Sequence, residues 1–482
     1  MRTSAVLLAL VPFCTSACGG PEHSAEPEVI SLAPDGASCS LGSECASGTC
    51  LAGSICGTAC ESPESCSVGA TCSPVTTARG LVRACGTPGT TELDGDCVED
   101  SECAEGLCHE GHCTRLCGSC FAGAECVVID VTRGEHDEQW PACLWRLAEP
   151  KTVAEHVMTP EGQSAELSFE VPPGQLSFVA VLESRDGLRV APSSLISPGG
   201  IALIENAESS TNPAAPYIGV TSVLVPNGDD PAIRAEPGTW RLSVGTYDPR
   251  VFDALVPESG RVDRVSILLE AETEEGGALD LELAFSPGTD VVARTATDSP
   301  FVVELLEEVQ KTLIEPAGVS LGEVRLASIP EEHDVVEDGD ETRRMCRTLS
   351  KPGRHGASVN LFVVADLVYT EGHSGGAPGP PGRFDTPGSC IVIERMENGL
   401  RTGVLASHEL GHFLGLRHTT ELSGGGRDPL SDTPECERGM AIDDCPDRDN
   451  LMFPAYLPRS GLPLTAGQIA VIRRSPSLYE RP

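Results

Sequence analysis

Two groups of eight cysteines follow one another between residues 39 and 143, and they constrain the fold of this region more than any other feature of the chain. The first group is Cys39, Cys45, Cys50, Cys56, Cys60, Cys66, Cys72 and Cys85, and the second is Cys97, Cys103, Cys108, Cys113, Cys117, Cys120, Cys126 and Cys143. The neighbouring residues repeat as well, since Ser43-Glu44-Cys45-Ala46 matches Ser101-Glu102-Cys103-Ala104. Repetition of this kind indicates two copies of one structural unit.

These cysteines can either pair in disulfides or bind metal ions. Zinc modules usually combine close cysteine pairs with histidines, and here the only close pair is Cys117 with Cys120. A dense, even set of cysteines is typical of disulfides in an exported protein, where the bridges replace a core too small to fold alone. We therefore expect residues 37–147 to form two disulfide-rich repeats with a spacer or recognition role. The spacing does not reveal which cysteines pair.

The first 18 residues have the features of an export signal. Arg2 precedes a short apolar stretch, and small residues lead to Cys18. Ala17-Cys18-Gly19-Gly20 resembles the lipobox of bacterial lipoproteins, which implies lipidation of Cys18 and a lipid anchor at the outer membrane or cell surface. Cleavage followed by free secretion is the alternative. Residues 19–36 are predicted to form a flexible tether.

The net charge of the chain is -39, from 33 Lys and Arg against 72 Asp and Glu. Such a surface repels phosphate backbones, which argues against nucleic acid as a partner.

The rest of the chain divides into two regions by its hydrophobic pattern. Between residues 148 and 275 apolar residues alternate, as in Leu167, Phe169 and Val171, and Pro-Gly or Asn-Gly pairs interrupt the runs. This pattern predicts an antiparallel, β-sandwich-like ancillary domain, with a removable pro-segment as the alternative. Residues 276–482 mix strand and helix periods and are predicted to be an α/β (α+β) domain. Within it a helix is expected to begin at Ser299-Pro300 and to stop at Pro316.

The strongest chemical pattern lies between residues 407 and 419, which read Ser-His-Glu-Leu-Gly-His-Phe-Leu-Gly-Leu-Arg-His-Thr. His408 and His412 are four residues apart, so on a helix they lie on one face and can bind one ion. Gly415 permits the left-handed backbone that ends the helix, and the chain can then return His418 as a third ligand. Surface histidines on an ordinary helix are the alternative interpretation.

Three neutral imidazoles leave Zn²⁺ with an open position for water. Zinc lowers the pKa of water from about 15.7 toward 7, and Glu409 lies next to the ligands without being one. Glu409 is therefore predicted to be the general base of a peptide hydrolysis. Among the other histidines, His373 fits no ligand pattern and is expected at the surface.

The motif resembles that of the metzincin zinc metalloproteases, whose pattern HExxHxxGxxH is matched in full. The resemblance implies a turn under the zinc with Met452 in the place of its methionine. The pappalysin-like branch is most similar, on Asp428-Pro429-Leu430-Ser431-Asp432-Thr433-Pro434 and Leu464-Thr465-Ala466-Gly467-Gln468. It implies calcium bound by Asp428, Asp432 and Thr433, with a simple proline turn as the alternative. Pro454 stands where that family has a transition-state tyrosine, and Tyr456 is the nearest phenol.

Further expectations concern the substrate and the remaining cysteines. The resemblance implies a protein or peptide substrate that binds antiparallel to an edge strand at residues 389–394. Cys346, Cys390, Cys436 and Cys445 are expected in two disulfides, with a latency thiol at Cys346 as the alternative. The leading hypothesis is an exported zinc endopeptidase. A surface binding or adhesion protein with a vestigial metal domain, and a zinc hydrolase of non-peptide amides, are the other two.

Overall fold

The structure is a computed structural model of the 482-residue chain. It describes residues 32–34, 37–47, 49–51, 55–77, 80–91, 97–109, 112–118, 120, 124–133, 136–145, 150–159, 165–206, 212–214, 216–251, 255–271, 277–352, 358–421, 426–437, 439–455 and 459–479. The chain divides into two compact units, one of residues 1–120 and 126–144 and the other of residues 121–125 and 145–482. Among the described residues, no helix has the length and apolarity needed to cross a bilayer.

The cysteine-rich repeats consist of short antiparallel strands. These strands are β1 (Cys50–Leu51), β2 (Ile55–Cys56), β3 (Thr71–Thr77), β4 (Gly80–Gly86), β5 (Gly106–His109), β6 (His112–Leu116), β7 (Ala124–Arg133) and β8 (His136–Trp145). Both repeats use the same local device, because the carboxylates of Glu44 and Glu102 accept hydrogen bonds from the backbone N–H groups of the turn before them. The matching sequence therefore produces matching turns.

All cysteines of the repeats are paired in disulfides. The bridges of the first repeat are 39–50, 45–56, 60–72 and 66–85, and those of the second are 97–108, 103–113, 117–126 and 120–143. In each repeat the first cysteine pairs with the third, the second with the fourth, the fifth with the seventh and the sixth with the eighth. The disulfide interpretation is confirmed, and the structure adds the connectivity.

Residues 151–271 form two antiparallel sheets. Their strands are β9 (Lys151–Thr159), β10 (Ala165–Val171), β11 (Gln175–Glu183), β12 (Arg189–Ile196), β13 (Ala202–Glu205), β14 (Tyr217–Ile218), β15 (Val220–Val225), β16 (Gly238–Tyr247) and β17 (Gly260–Ala271). One sheet has the order β10-β16-β12-β13, with β14 paired to β12, and the other has the order β15-β11-β17-β9. Side chains of both sheets share a core around Phe169, Phe178 and Trp240. We call this two-sheet region the sandwich.

The C-terminal region contains a five-stranded sheet flanked by helices. The strands of this sheet are β18 (Ala278–Phe285), β19 (Ser320–Ser328), β21 (Val359–Val364), β23 (Gly372–Ser374) and β24 (Cys390–Glu394). Two short strands, β20 (Val335–Val336) and β22 (Asp366–Leu367), pair separately. The region also contains helices. Its helices are α1 (Pro300–Val309), α2 (Glu315–Ala317), α3 (Gly339–Leu349), α4 (Gly399–Phe413) and α5 (Ala466–Ile472), and a π-helical segment (Gln310–Ile314) joins α1 to α2. The sheet order is β19-β18-β21-β24-β23, and only β23 runs antiparallel to its neighbour.

One expectation about this region needs correction. The strand at residues 389–394 is not an edge strand, because β23 pairs with it from within the Gly- and Pro-rich segment that follows residue 371. The helix that begins at Pro300 ends at Ala317, one residue past the predicted stop at Pro316, and it has π geometry over Gln310–Ile314.

The sandwich and the C-terminal region share a hydrophobic core. Along β11 the side chains alternate: Phe178, Ala180 and Leu182 point into the sandwich, whereas Val179 and Val181 pack into the core of the C-terminal region. Val220 and Leu224 of β15 join the same second core. Both faces of β11 are therefore buried, and the sandwich packs against the core of the C-terminal region.

Candidate metal centre

His408 and His412 come from one face of α4, as their spacing predicts. The Asn398 side chain accepts a hydrogen bond from the Arg401 N–H and so caps the start of this helix. Val404, Leu405 and Leu410 pack into the core and anchor the helix. The centroids of the two imidazole rings lie 4.8 Å apart.

The third histidine returns to the pair through a turn at Gly415. This glycine has a φ of +117°, a region that a side chain would strain. A Cβ at this position would also lie 3.0 Å from Leu224 of the sandwich. The turn brings His418 Nε2 to 3.2 Å from His412 Nε2, and one ligand atom from each of the three histidines lies within 4.8 Å of the others. The structure thus brings the three predicted ligands together.

The outer nitrogens of the three rings are all held by hydrogen bonds. His408 Nδ1 donates to the Leu451 carbonyl at 2.7 Å, and His412 Nδ1 donates to the Leu416 carbonyl at 2.9 Å. His418 Nδ1 donates to the Glu421 carboxylate at 3.1 Å. Such bonds fix the tautomer in which Nε2 carries the lone pair, and they are typical of metal-binding histidines.

Burial keeps the first two rings neutral. It lowers the pKa of His408 to about 4, with the charge of His418 as a smaller cause. It lowers the pKa of His412 well below its ordinary value for the same main reason. Three Nε2 lone pairs that face one another without a proton between them repel, and a cation removes that repulsion. The donor set fits a tetrahedral zinc ion with three nitrogen ligands.

Met452 lies beneath the histidines, as the resemblance implies. Its side chain is fully buried, and its sulfur would be 2.6 Å from a Cβ added at Gly411, between the two helical histidines. Its carbonyl accepts a hydrogen bond from the Thr419 N–H, directly after the third histidine. Asn450, two residues earlier, forms a reciprocal amide pair with Gln468 of α5. The turn is therefore tied to all three histidine segments.

Glu409 is buried beside the ligands and faces strand β23. Burial raises the pKa of its carboxyl to about 8, and a hydrogen bond from the Ser374 backbone N–H opposes this shift. A Cβ added at Gly372 would lie 2.5 Å from Glu409 Oε1. The sequence offered no signal that Gly372 and Ser374 would contact the predicted base.

These groups line one cavity of about 380 Å³. Its walls include the three histidines and Glu409, the 370–377 segment with β23, Leu405 and Pro454, and Tyr217 from the sandwich. His373, expected at the surface, is half-buried on β23 and is not one of the three clustered histidines; burial with the nearby Arg343 charge lowers its pKa to about 4. Nothing in the spacing of the sequence connects Tyr217 or His373 to the zinc motif.

The loop assigned to calcium forms its own hydrogen bonds. The Thr433 hydroxyl donates to Asp428 Oδ1 at 2.7 Å. Asp432 accepts from the Thr465 hydroxyl and from the Gly467 N–H at the start of α5. Asp428 Oδ2 is buried without a partner. These contacts account for the residues as a turn, and calcium binding stays a prediction.

The remaining sequence predictions divide into two groups. Cys346 pairs with Cys390, and Cys436 pairs with Cys445, so the two expected disulfides are present and the latency thiol at Cys346 is excluded. Tyr456 and Cys18 lie outside the described residues, as do the signal and most of the tether.

Comparisons with known proteins add little to the site. No family model matches the chain, and no curated protein matches it. Among solved structures, mature mirolysin of Tannerella forsythia in complex with a cleaved peptide is 15% identical, with a TM-score of 0.30 over 41% of this chain and 90% of that chain. Metalloproteinase-II from Bacteroides fragilis is 12% identical, with a TM-score of 0.25 over 42% of this chain and 60% of that chain. A chaperone–substrate complex is 13% identical, with a TM-score of 0.22 over 45% of this chain and 38% of that chain. Likenesses this low carry no argument, so the case depends on the geometry.

Proposed function

We propose that this protein is a zinc-dependent endopeptidase of the metzincin type, most similar to the pappalysin-like branch. The observation that carries the proposal is the convergence of three imidazole Nε2 atoms next to a buried carboxylate in one cavity. His408, His412 and His418 would hold the zinc, and Met452 supports them from below. The export signal and Cys18 support a lipid-anchored or secreted protein, which extends the proposal to the cell exterior.

Bound zinc supplies a Lewis acid that polarises the substrate carbonyl and makes water more acidic. The chain's own base is Glu409, which accepts the proton from the attacking water and delivers it to the leaving nitrogen. Glu409 must be ionised to accept this proton, and the hydrogen bond from the Ser374 backbone N–H favours the ionised form.

A peptide would bind along the free edge of β23. This strand is the last of its sheet and lines the cavity together with Glu409. Peptide backbones add to such edges through main-chain hydrogen bonds, largely independently of sequence. An extended polypeptide is therefore the substrate class that the cavity fits best.

The test is cleavage of an alkylated, unfolded protein by the purified, zinc-loaded chain. We expect cleavage by the wild type, loss of cleavage with a chelator, and a fall of at least about 1,000-fold in the Glu409→Ala variant that still contains zinc. Glu307→Ala, which removes an exposed carboxylate from α1, is the matched control and should cleave normally. Undiminished cleavage by Glu409→Ala would contradict the assigned role of Glu409, and absence of cleavage by the wild type would contradict the peptidase proposal itself.

A further inference from the structure

Tyr217 is the side chain through which the sandwich reaches the cavity. It lies on the short strand β14, and its backbone N–H donates to the Thr221 hydroxyl at 3.0 Å. The Thr221 hydroxyl is in turn bonded to the Val190 carbonyl of the neighbouring strand β12. The backbone that carries Tyr217 is thus fixed within the sandwich. The Tyr217 side chain lines the same cavity as Glu409 and the three histidines.

The phenol hydroxyl already has partners on the protein. Its oxygen is 2.5 Å from His373 Nε2 on β23, and it forms a second hydrogen bond with Arg343 of α3. The Arg343 guanidinium lies 5.9 Å from the centre of the tyrosine ring. Because the hydroxyl is occupied, the part of Tyr217 left to meet a substrate is its aromatic ring.

Other contacts hold the sandwich at this position. Arg383, from the segment between β23 and β24, forms an ion pair with Glu183 at the end of β11, with an N–O distance of 2.9 Å. A Cβ at Gly219, two residues after Tyr217, would lie 2.8 Å from Pro387 of the same segment. Together with the shared core of Val179 and Val181, these contacts hold the sandwich where Tyr217 forms part of the cavity wall.

We infer that the sandwich is a permanent part of the enzyme and that Tyr217 is a specificity-determining residue. Its ring, carried on a backbone that is fixed within the sandwich, packs against an aliphatic or aromatic side chain of the bound peptide. A large apolar side chain gains contact area and, if aromatic, a favourable ring geometry. This inference depends on the proposed peptidase function.

The experiment compares cleavage-site profiles on a proteome-derived peptide library for the wild type, Tyr217→Ala and Tyr217→Phe. At one subsite the wild type should prefer aliphatic and aromatic residues. Tyr217→Ala should lose that preference, with KM for a preferred peptide rising at least fivefold and kcat changing less. Tyr217→Phe keeps the ring and should restore the preference. Tyr247→Phe, which changes a sandwich tyrosine that does not line the cavity, is the matched control.

The outcomes separate this inference from the function on which it depends. A wild type that cleaves with an unchanged profile in Tyr217→Ala would overturn the role of Tyr217 and leave the peptidase intact. Equal loss of preference in Tyr217→Ala and Tyr217→Phe would also overturn it, since the hydroxyl and not the ring would then be the contact. A wild type that cleaves nothing would overturn both. Melting temperatures of all variants verify that each one is folded.

Discussion

The three histidines differ in whether a mutation can remove the group that accepts the hydrogen bond from their Nδ1 atom. His408 and His412 donate to backbone carbonyls of Leu451 and Leu416, which no substitution deletes. His418 donates to the side chain of Glu421, which is about half exposed. The third ligand therefore depends on a side chain that mutation can take away without disturbing the core.

Glu421→Ala should weaken zinc binding by about 10- to 100-fold, because the His418 ring loses the partner that fixes its tautomer and orientation. Competition with a fluorescent zinc chelator measures this affinity. Glu437→Ala removes an exposed carboxylate from the same loop and serves as the control. Equal zinc affinities of Glu421→Ala and Glu437→Ala would show that Glu421 does not support the ligand.

Asp428 makes stability depend on pH. Burial, with the charges of Asp432 and Asp229 as lesser causes, raises the pKa of its carboxyl from 3.8 to about 6. Between these values the folded chain holds more protons than the unfolded chain, so stability falls as pH rises through this window. After allowance for solvent screening, the free energy of unfolding of Asp428→Asn should exceed that of the wild type by about 1 kcal/mol at pH 7.5. At pH 4 the two proteins should be about equally stable.

Urea unfolding at the two pH values measures the effect of Asp428→Asn. A variant that is no more stable than the wild type at pH 7.5 would contradict the assignment of the loss to Asp428. Adding calcium at pH 7.5 tests the calcium prediction in the same experiment: stabilisation of the wild type but not of Asp428→Asn would support it.

At the scale of elements, the contact between β23 and α4 positions the base. Gly372 passes so close to Glu409 that any side chain would displace the carboxylate. A displacement of about 1 Å in an active site can cost two orders of magnitude in rate. Strand β23 thus holds Glu409 in place, and in the proposed function it would also bind the peptide backbone.

Gly372→Ala should lower kcat by about 10- to 100-fold without loss of zinc, because its Cβ pushes Glu409 and leaves the histidines in place. Steady-state kinetics and metal analysis of the same sample measure both quantities. Gly86→Ala is the control, since a Cβ there meets no atom within 4 Å. Normal kcat in Gly372→Ala would contradict the tight contact.

Sequence patterns predicted some elements well and missed others for physical reasons. Strand β24 and helix α4 have strong, uninterrupted apolar periods, and both occur where they were expected. Strand β23 has only three residues and no apolar alternation, so no sequence pattern predicts it. The contacts of His373 could not be predicted either, because its neighbours Tyr217 and Arg343 come from the sandwich and from α3, far away in the chain.

At the scale of the whole molecule, the positions of the three histidines could be predicted from the sequence, whereas the packing between regions could not. The HExxHxxGxxH spacing predicts the three ligands, since α-helical geometry and one glycine turn determine where they lie. The packing of the sandwich against the C-terminal region has no local signature, because it depends on the second face of β11. The number and density of cysteines in the repeats predict disulfides, but which cysteines pair is visible only in the folded chain.

The shared core predicts that the sandwich and the C-terminal region unfold together. Val179→Ala should destabilise both by about 2 kcal/mol, because it removes buried methyl groups between them. Native-state hydrogen exchange reports this as equal losses of protection in the core strands β17 and β21. Val256→Ala, at an exposed valine, should change neither. A loss of protection confined to β17 would show that the two regions are independent.

X-ray absorption at the zinc edge, on protein equilibrated with one equivalent of zinc, tests the central claim most directly. The account predicts one bound zinc per chain with three imidazole nitrogens at about 2.0–2.1 Å and an oxygen in the fourth position. A chain that retains no zinc, or a spectrum that shows sulfur at about 2.3 Å, would contradict it.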